Sequence, residues 1–198
     1  FALSIPMSIL FGAAALPAGW LGDRWSASGM MALFFLGVGA CSILAGLANS
    51  PLAICLSLAG IGLFAAIYHP VGIPWLERNA VNRGRVLGIN GLFGSAGTAG
   101  AALVAGLLAD LYGWRAAFIV PGAICFVIGL AFVWARQVGL LLDRKEDLVP
   151  QPVAGKADIW RVFWVMSATM LCTGLIFQAT AFALPKIFDE RLSGFFNG

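Results

Sequence analysis

The amino-acid sequence predicts an all-α, multi-pass membrane protein, and three observations lead there. Charge is scarce: 61% of the 198 residues are hydrophobic and 11% are charged, with a mean hydropathy of +0.93. Soluble domains carry about 25% charged residues, so too little polar surface exists here to face water, and most of it must face lipid. Apolar residues also fall into runs of about 20, the length a bilayer-spanning helix requires. Finally, the charges cluster in short segments between these runs, and the strict apolar–polar alternation of a β-barrel is absent.

Six runs qualify in order along the chain. The first, 2–22, closes in Gly19-Trp20-Leu21-Gly22-Asp23-Arg24, which places an acid and a base in a very short turn. The second is 29–48. The third, 52–76, contains His69, Pro70 and Pro74. The fourth, 86–109, carries Gly88, Gly91, Gly94, Gly97 and Gly100. The fifth is 116–135, and the sixth, 162–185, holds Ser167, Thr169, Thr173, Gln178 and Thr180. Glycine and proline inside such helices are tolerated because neighbouring helices satisfy the freed backbone groups.

One connection is long. Residues 136–161 include Asp143-Arg144-Lys145-Glu146-Asp147 and Pro150-Gln151-Pro152, the composition of a linker between bundles. The expected organisation is therefore an incomplete amino-terminal bundle over 1–135 with about five spans, a cytoplasmic linker over 136–161, and the first helix of a second bundle over 162–198. Phe1 already lies in an apolar run, so the chain reads as a fragment. A signal peptide over 1–21 would lack its basic amino-terminal region.

Alternating the spans sorts the basic residues. Arg24, Arg78, Arg83, Arg85, Arg136, Arg144, Lys145, Lys156 and Arg161 fall on one side, and Arg115, Lys186 and Arg191 on the other. The richer side is expected to be cytoplasmic, in a plasma (inner) membrane. Gly19 through Ser26 and Gly106 through Gly113 share the pattern Gly, any, Leu, small, Asp, any, aromatic, small. Three spans separate the two segments, which places them on opposite faces. An inverted-topology repeat of three helices would produce that arrangement.

These residues carry a resemblance. Gly19 to Arg24 resembles the first part of the signature between helices 2 and 3 of the major facilitator superfamily. Gly113-Trp114-Arg115-Ala116-Ala117-Phe118 resembles that family's entry into helix 6. Tyr68-His69-Pro70-Val71-Gly72 with Arg83-Gly84-Arg85 is similar to its fosmidomycin-resistance-type branch. The resemblance implies a partial bundle, helices 2 to 7 of twelve, with inverted three-helix repeats. It also implies secondary transport of a small molecule by alternating access, possible proton-coupled export among its modes. Gly19, Asp23 and Arg24 would form its gating motif, although the basic residues that usually follow are replaced by Ser26, Ala27 and Ser28.

Among the other candidates, His69 is the ionisable group well inside a span. Such groups face the bundle interior or a cavity, and imidazole titrates near neutral pH. Two readings are open: proton exchange, or a neutral ring bonded to a carbonyl freed by Pro70 or Pro74. Asn90 and Gln178 are the candidate substrate contacts, with interhelical hydrogen bonding as the alternative. The glycines of the fourth run serve either tight packing or a sliding contact. Cys41, Cys55, Cys125 and Cys172 form no C-x-x-C pair, and with a single histidine no metal site is expected. The basic residues form no single face, so nucleic acid is not an expected partner. No P-loop, G-x-S-x-G or H-E-x-x-H appears, so no catalytic residue, cofactor or ATP-driven cycle is expected, and a monomer should suffice. The alternatives in other classes are an intramembrane enzyme using His69 and a non-transporting subunit of a membrane assembly.

Overall fold

A computed structural model describes residues 2–141 and 155–196. All regular structure among them is helical. After a short turn at Ala2–Ser4 come α1 (Ile5–Arg24), α2 (Ala27–Leu47), α3 (Pro51–Ala65), a π-helical turn at Tyr68–Gly72, α4 (Ile73–Asn79), α5 (Arg83–Tyr112), α6 (Ala116–Gln137) and α7 (Lys156–Phe196). Six helical stretches are long and apolar enough to cross a membrane, α3 through α4 counting as one from Pro51 to Asn79.

The ends are set by local chemistry. Ser26 Oγ accepts from Gly29 N at 3.0 Å, Ser50 Oγ from Ala53 N at 3.2 Å, and Asn82 Oδ1 from Arg85 N at 3.2 Å. Each side chain satisfies one of the amides that a helix start leaves unpaired. Pro51 adds a fixed φ in the first turn of α3. Gly113, at φ +88°, stops α5 in a conformation that a side chain would disfavour. Capping by Asn82 and the stop at Gly113 carry this helix beyond the apolar run 86–109 at both ends. The third run, expected as one helix over 52–76, is broken by the π turn, where Ile73 N donates to Tyr68 O, five residues back.

The chain forms two compact units, residues 1–146 and 147–198. In the second, α7 is a single helix. The charged cluster Asp143–Asp147 and Pro150–Pro152 of the expected linker lie outside the described residues. Its flanks are helical, since α6 runs to Gln137 and α7 starts at Lys156.

In the first unit α2 runs antiparallel to α6 along a close seam. A Cβ on Gly39 would stand 2.6 Å from Phe126 N, and one on Gly122 would stand 3.0 Å from Ile43 N. Gly46 likewise meets Ile119, and Gly129 meets Leu36. Small residues let backbones approach this closely. Two cross-helix bonds follow the same rule: Ser42 Oγ donates to Phe118 O at 2.8 Å and Cys125 Sγ to Phe35 O at 3.4 Å. Every member has a counterpart 83 residues on (35 and 118, 36 and 119, 39 and 122, 42 and 125, 43 and 126, 46 and 129), and every contact maps onto its partner contact. The seam is therefore a local two-fold, as an inverted repeat requires. The Gly–Asp patterns at the ends of α1 and α5 are offset by 87 residues, about one helical turn more.

A small core of Ala18, Met30, Ile67 and Val71, with Ala27, Phe34 and Phe64 around it, joins α1 and α2 to the π turn. The two glycines of the first turn motif belong to this packing. A Cβ at Gly19 would lie 3.3 Å from Pro70 Cβ, and one at Gly22 would lie 2.7 Å from Val71 Cγ2.

Candidate functional site

The arginine-rich end of the first unit is built from helix ends. α1 terminates at Arg24, so Asp23 emerges in its last turn beside α4, held there because Gly19 and Gly22 let α1 lie against the π turn. Arg78, in the last turn of α4, places its guanidinium 3.6 Å from Asp23 Oδ1. The carboxylate is largely exposed and the arginine about two-thirds covered. Arg24 turns the other way and lays its guanidinium 4.5 Å over the Trp20 ring. Cation–π contact of this kind anchors a basic side chain at an interface.

Ser26, the first of the positions that lack the family's usual cations, is not far from positive charge. Arg136 of α6 donates from Nη2 to Ser26 Oγ at 3.4 Å. Arg78 and Arg136, on two other helices, thus bring cations to the turn. Neither was singled out from the sequence, because a pairing 55 or 110 residues apart leaves no local pattern.

The opposite end has its own clamp. Arg115, at the entry to α6, donates from Nε to Gly46 O, and from Nη2 to Ala48 O and Asn49 Oδ1, at 3.1, 3.2 and 2.7 Å. These carbonyls close α2, whose last turn has no intrahelical donors left for them. The Gly113-Trp114-Arg115 motif is accordingly a cap for a neighbouring helix.

His69 sits in the π turn, a departure from α geometry that often marks functional positions. Its ring is exposed and meets the edges of Phe11 and Tyr68, at centroid distances of 6.5 and 5.6 Å. The expected alternative, a bond from the ring to a carbonyl freed by proline, does not form among the described residues. The i+5 pairing of the turn takes up backbone there instead.

Asn90 is half-buried on α5 and accepts a short hydrogen bond from the Tyr68 hydroxyl. The pair stands at a cleft of about 200 Å³ between α2, α4, α5 and α6, walled by Phe35, Trp75 and Phe132 with Met31 behind. Phe132 packs at 5.7 Å from Phe35 and 5.8 Å from Trp75. Tyr68 was visible in the Tyr-His-Pro motif, but only the fold identifies its partner. Asn90 and His69 are therefore one residue apart through Tyr68. Gln178 lies on α7 in the second unit, and its side chain falls outside the described residues.

Among the described residues no group of three or more His, Cys, Asp or Glu side chains could hold a metal ion. The family profile described as Major Facilitator Superfamily matches residues 1–198. No curated protein and no solved structure matches the chain.

Proposed function

The chain belongs to the Major Facilitator Superfamily and is a multi-pass membrane transporter; on that premise we propose that it moves a small molecule by secondary active transport through alternating access, with the arginine-rich end in the cytoplasm of a cell whose plasma (inner) membrane holds it. Residues 1–135 would act as one bundle, 136–161 as the linker, and 162–198 as the opening of the next. The observation that carries this reading is the Asp23–Arg78 pair. A transporter that rocks between two states needs contacts present in one state and absent in the other. Asp23 and Arg78 lie in the same bundle, so their pair at 3.6 Å does not itself switch; it holds a largely exposed carboxylate at the arginine-rich end, where it can make such a contact with the next bundle, and at about 0.2–1 kcal/mol it is weak enough to exchange.

In this reading Gly19 seats α1 against the π turn, Asp23 is the latch, and Arg24 anchors the turn through Trp20. Arg78 and Arg136 take the part of the cations missing at 26–28. His69 exchanges the coupling proton, and Asn90 and Gln178 contact the substrate, with export as the direction. The protein works as a monomer.

Reconstitution of the protein in vesicles with an imposed pH gradient tests this. A panel of labelled small molecules should contain at least one whose flux depends on the gradient. Asp23→Asn should lower that flux several-fold while the amount of inserted protein stays the same. Unchanged flux removes Asp23 as a latch. His69→Gln should alter the pH profile of the flux; an identical profile ends the assignment of proton exchange to His69.

A further inference from the structure

The cleft at Tyr68 and Asn90 has a chemistry more specific than that of a generic cavity. Four aromatic rings face it, from Phe35, Tyr68, Trp75 and Phe132, and among the described residues no charged side chain lines it. Aromatic walls favour a flat apolar occupant through stacking and edge contacts. An uncharged, largely apolar lining disfavours an ion, which would lose its hydration without compensation. The polar end is also defined. Asn90 Oδ1 is engaged by the Tyr68 hydroxyl. The carboxamide nitrogen carries two N–H donors, and among the described residues neither has a protein partner. That nitrogen is not sealed in the interior, since among the described residues no buried polar side-chain atom lacks a bond. The cleft thus combines an aromatic, largely apolar lining with amide donors that have no protein partner among the described residues.

Its depth suits capture from the arginine-rich end. Met31 is four residues into α2 and Asn90 seven residues into α5, about 6 and 10 Å from those helix starts at 1.5 Å per residue.

We propose that this cleft binds a neutral, planar aromatic compound carrying a hydrogen-bond acceptor, which the Asn90 amide nitrogen recognises while the rings of Phe35, Trp75 and Phe132 form the apolar wall it lies against. Tyr68 is the positioning residue: its hydroxyl holds the amide oxygen and so turns the nitrogen toward the ligand. Calling this ligand the substrate rests on the transport reading above; its binding does not.

The test is equilibrium binding to the purified chain in lipid nanodiscs, corrected with empty nanodiscs. Three probes separate the contributions: coumarin, flat and neutral with a lactone carbonyl; naphthalene, flat without an acceptor; and coumarin-3-carboxylate, flat but charged. Coumarin should bind saturably, naphthalene more weakly, and the carboxylate not measurably. Asn90→Leu should weaken coumarin about tenfold, in the range one or two hydrogen bonds supply, and leave naphthalene unchanged, which also certifies the fold of the variant. Tyr68→Phe should weaken coumarin about threefold while sparing naphthalene. Three results overturn the proposal: no saturable coumarin binding, equal loss of both neutral probes in Asn90→Leu with helicity retained, or equal affinity for coumarin and naphthalene. The last would identify the occupant as a lipid chain or another purely apolar group. Coumarin bound as expected but not carried across vesicles would leave the site intact and refute only its role in transport. Flux of some other compound with no coumarin binding would do the reverse.

Discussion

Helices α2 and α5 are both rich in small residues, and the fold uses them in opposite ways. On α2, Gly39 and Gly46 press against the backbone and side chains of α6, while Gly122 and Gly129 return the contact. On α5, Gly88, Gly91, Gly94, Gly97, Gly100 and Gly106 have, among the described residues, nothing within 4 Å of the place a Cβ would occupy. Seven residues are two turns less about 20°, so glycines seven apart stay on one face and form a seam. Three residues fall about 60° short of a turn, so most glycines of α5 wind around the helix; Gly84 and Gly91, seven apart, also meet nothing within 4 Å among the described residues, so the spacing makes a seam only where a partner matches it. What counts for packing is the angular register of the small residues and a partner in the same register; their number matters less.

The largest effect expected from breaking this comparison is on the seam. Gly39→Leu must drive a side chain into Phe126 N and Cα, which lie 2.6 and 2.8 Å from the Cβ position, and backbone cannot swing aside. Overpacking typically costs about 1–3 kcal/mol, and backbone contact puts this case at the upper end. Unfolding of the purified protein in mixed micelles should show that loss, and Gly122→Leu should match it. If either variant unfolds like wild type, the two helices are not in contact at the local two-fold.

Next is the clamp at the seam's far end. Arg115→Gln removes donors from Gly46 O, Ala48 O and Asn49. Hydrogen bonds to a charged group contribute about 1.5–3 kcal/mol each at most sites, less where water can replace them. A destabilisation of about 1.5 kcal/mol is expected in the same unfolding assay, with Arg115→Lys recovering only part of it because an ammonium cannot reproduce the guanidinium fork. Full recovery by lysine would reduce the clamp to simple charge.

The contrast on α5 reverses sign. Gly97→Ala adds a methyl where nothing stands and removes backbone freedom, so stability should hold or rise by up to about 1 kcal/mol. A loss comparable to that of Gly39→Leu would mean that the α5 face is packed after all.

Much of this was legible in the sequence. The six spans follow from run length, and the charged turn at Asp23-Arg24 from its place between runs. The Gly–Asp echo at Gly106–Gly113 pointed to the inverted repeat. The clearer evidence for that repeat was also in the sequence: the Gly pairs 39/46 and 122/129 share a seven-residue spacing. Taken alone that spacing is not specific, since Gly84/Gly91 and Gly106/Gly113 share it; only the contact between the two pairs makes it evidence. What the sequence does not display is pairing across helices. Asp23 was identifiable, but Arg78 became its partner only when the π turn aimed α4 toward α1. Asn90 stood out as a lone amide in a span, whereas the Tyr68 hydroxyl that engages it depends on the same turn. The histidine was conspicuous for its charge chemistry, yet its neighbours, Phe11 and Tyr68, are set by tertiary packing.

The finest test of the comparison lies in the two cross-helix hydrogen bonds. Ser42 and Cys125 occupy equivalent positions of the local two-fold and donate to equivalent carbonyls, Phe118 O and Phe35 O. Only the donor differs, a hydroxyl at 2.8 Å against a thiol at 3.4 Å. Side-chain hydrogen bonds between membrane helices average about 0.6 kcal/mol, and a thiol is the weaker donor. Ser42→Ala should therefore cost about 0.6 kcal/mol, and Cys125→Ala measurably less. The exchange variant, Ser42→Cys with Cys125→Ser, keeps one hydroxyl and one thiol on the seam and moves each to the other's place. If the two sites are equivalent, its stability should equal that of wild type even though each single substitution shifts it. A net deficit in the exchange variant, with the two single changes failing to cancel, would show that the two sites differ in their surroundings, and that the symmetry of α2 and α6 stops at the glycines.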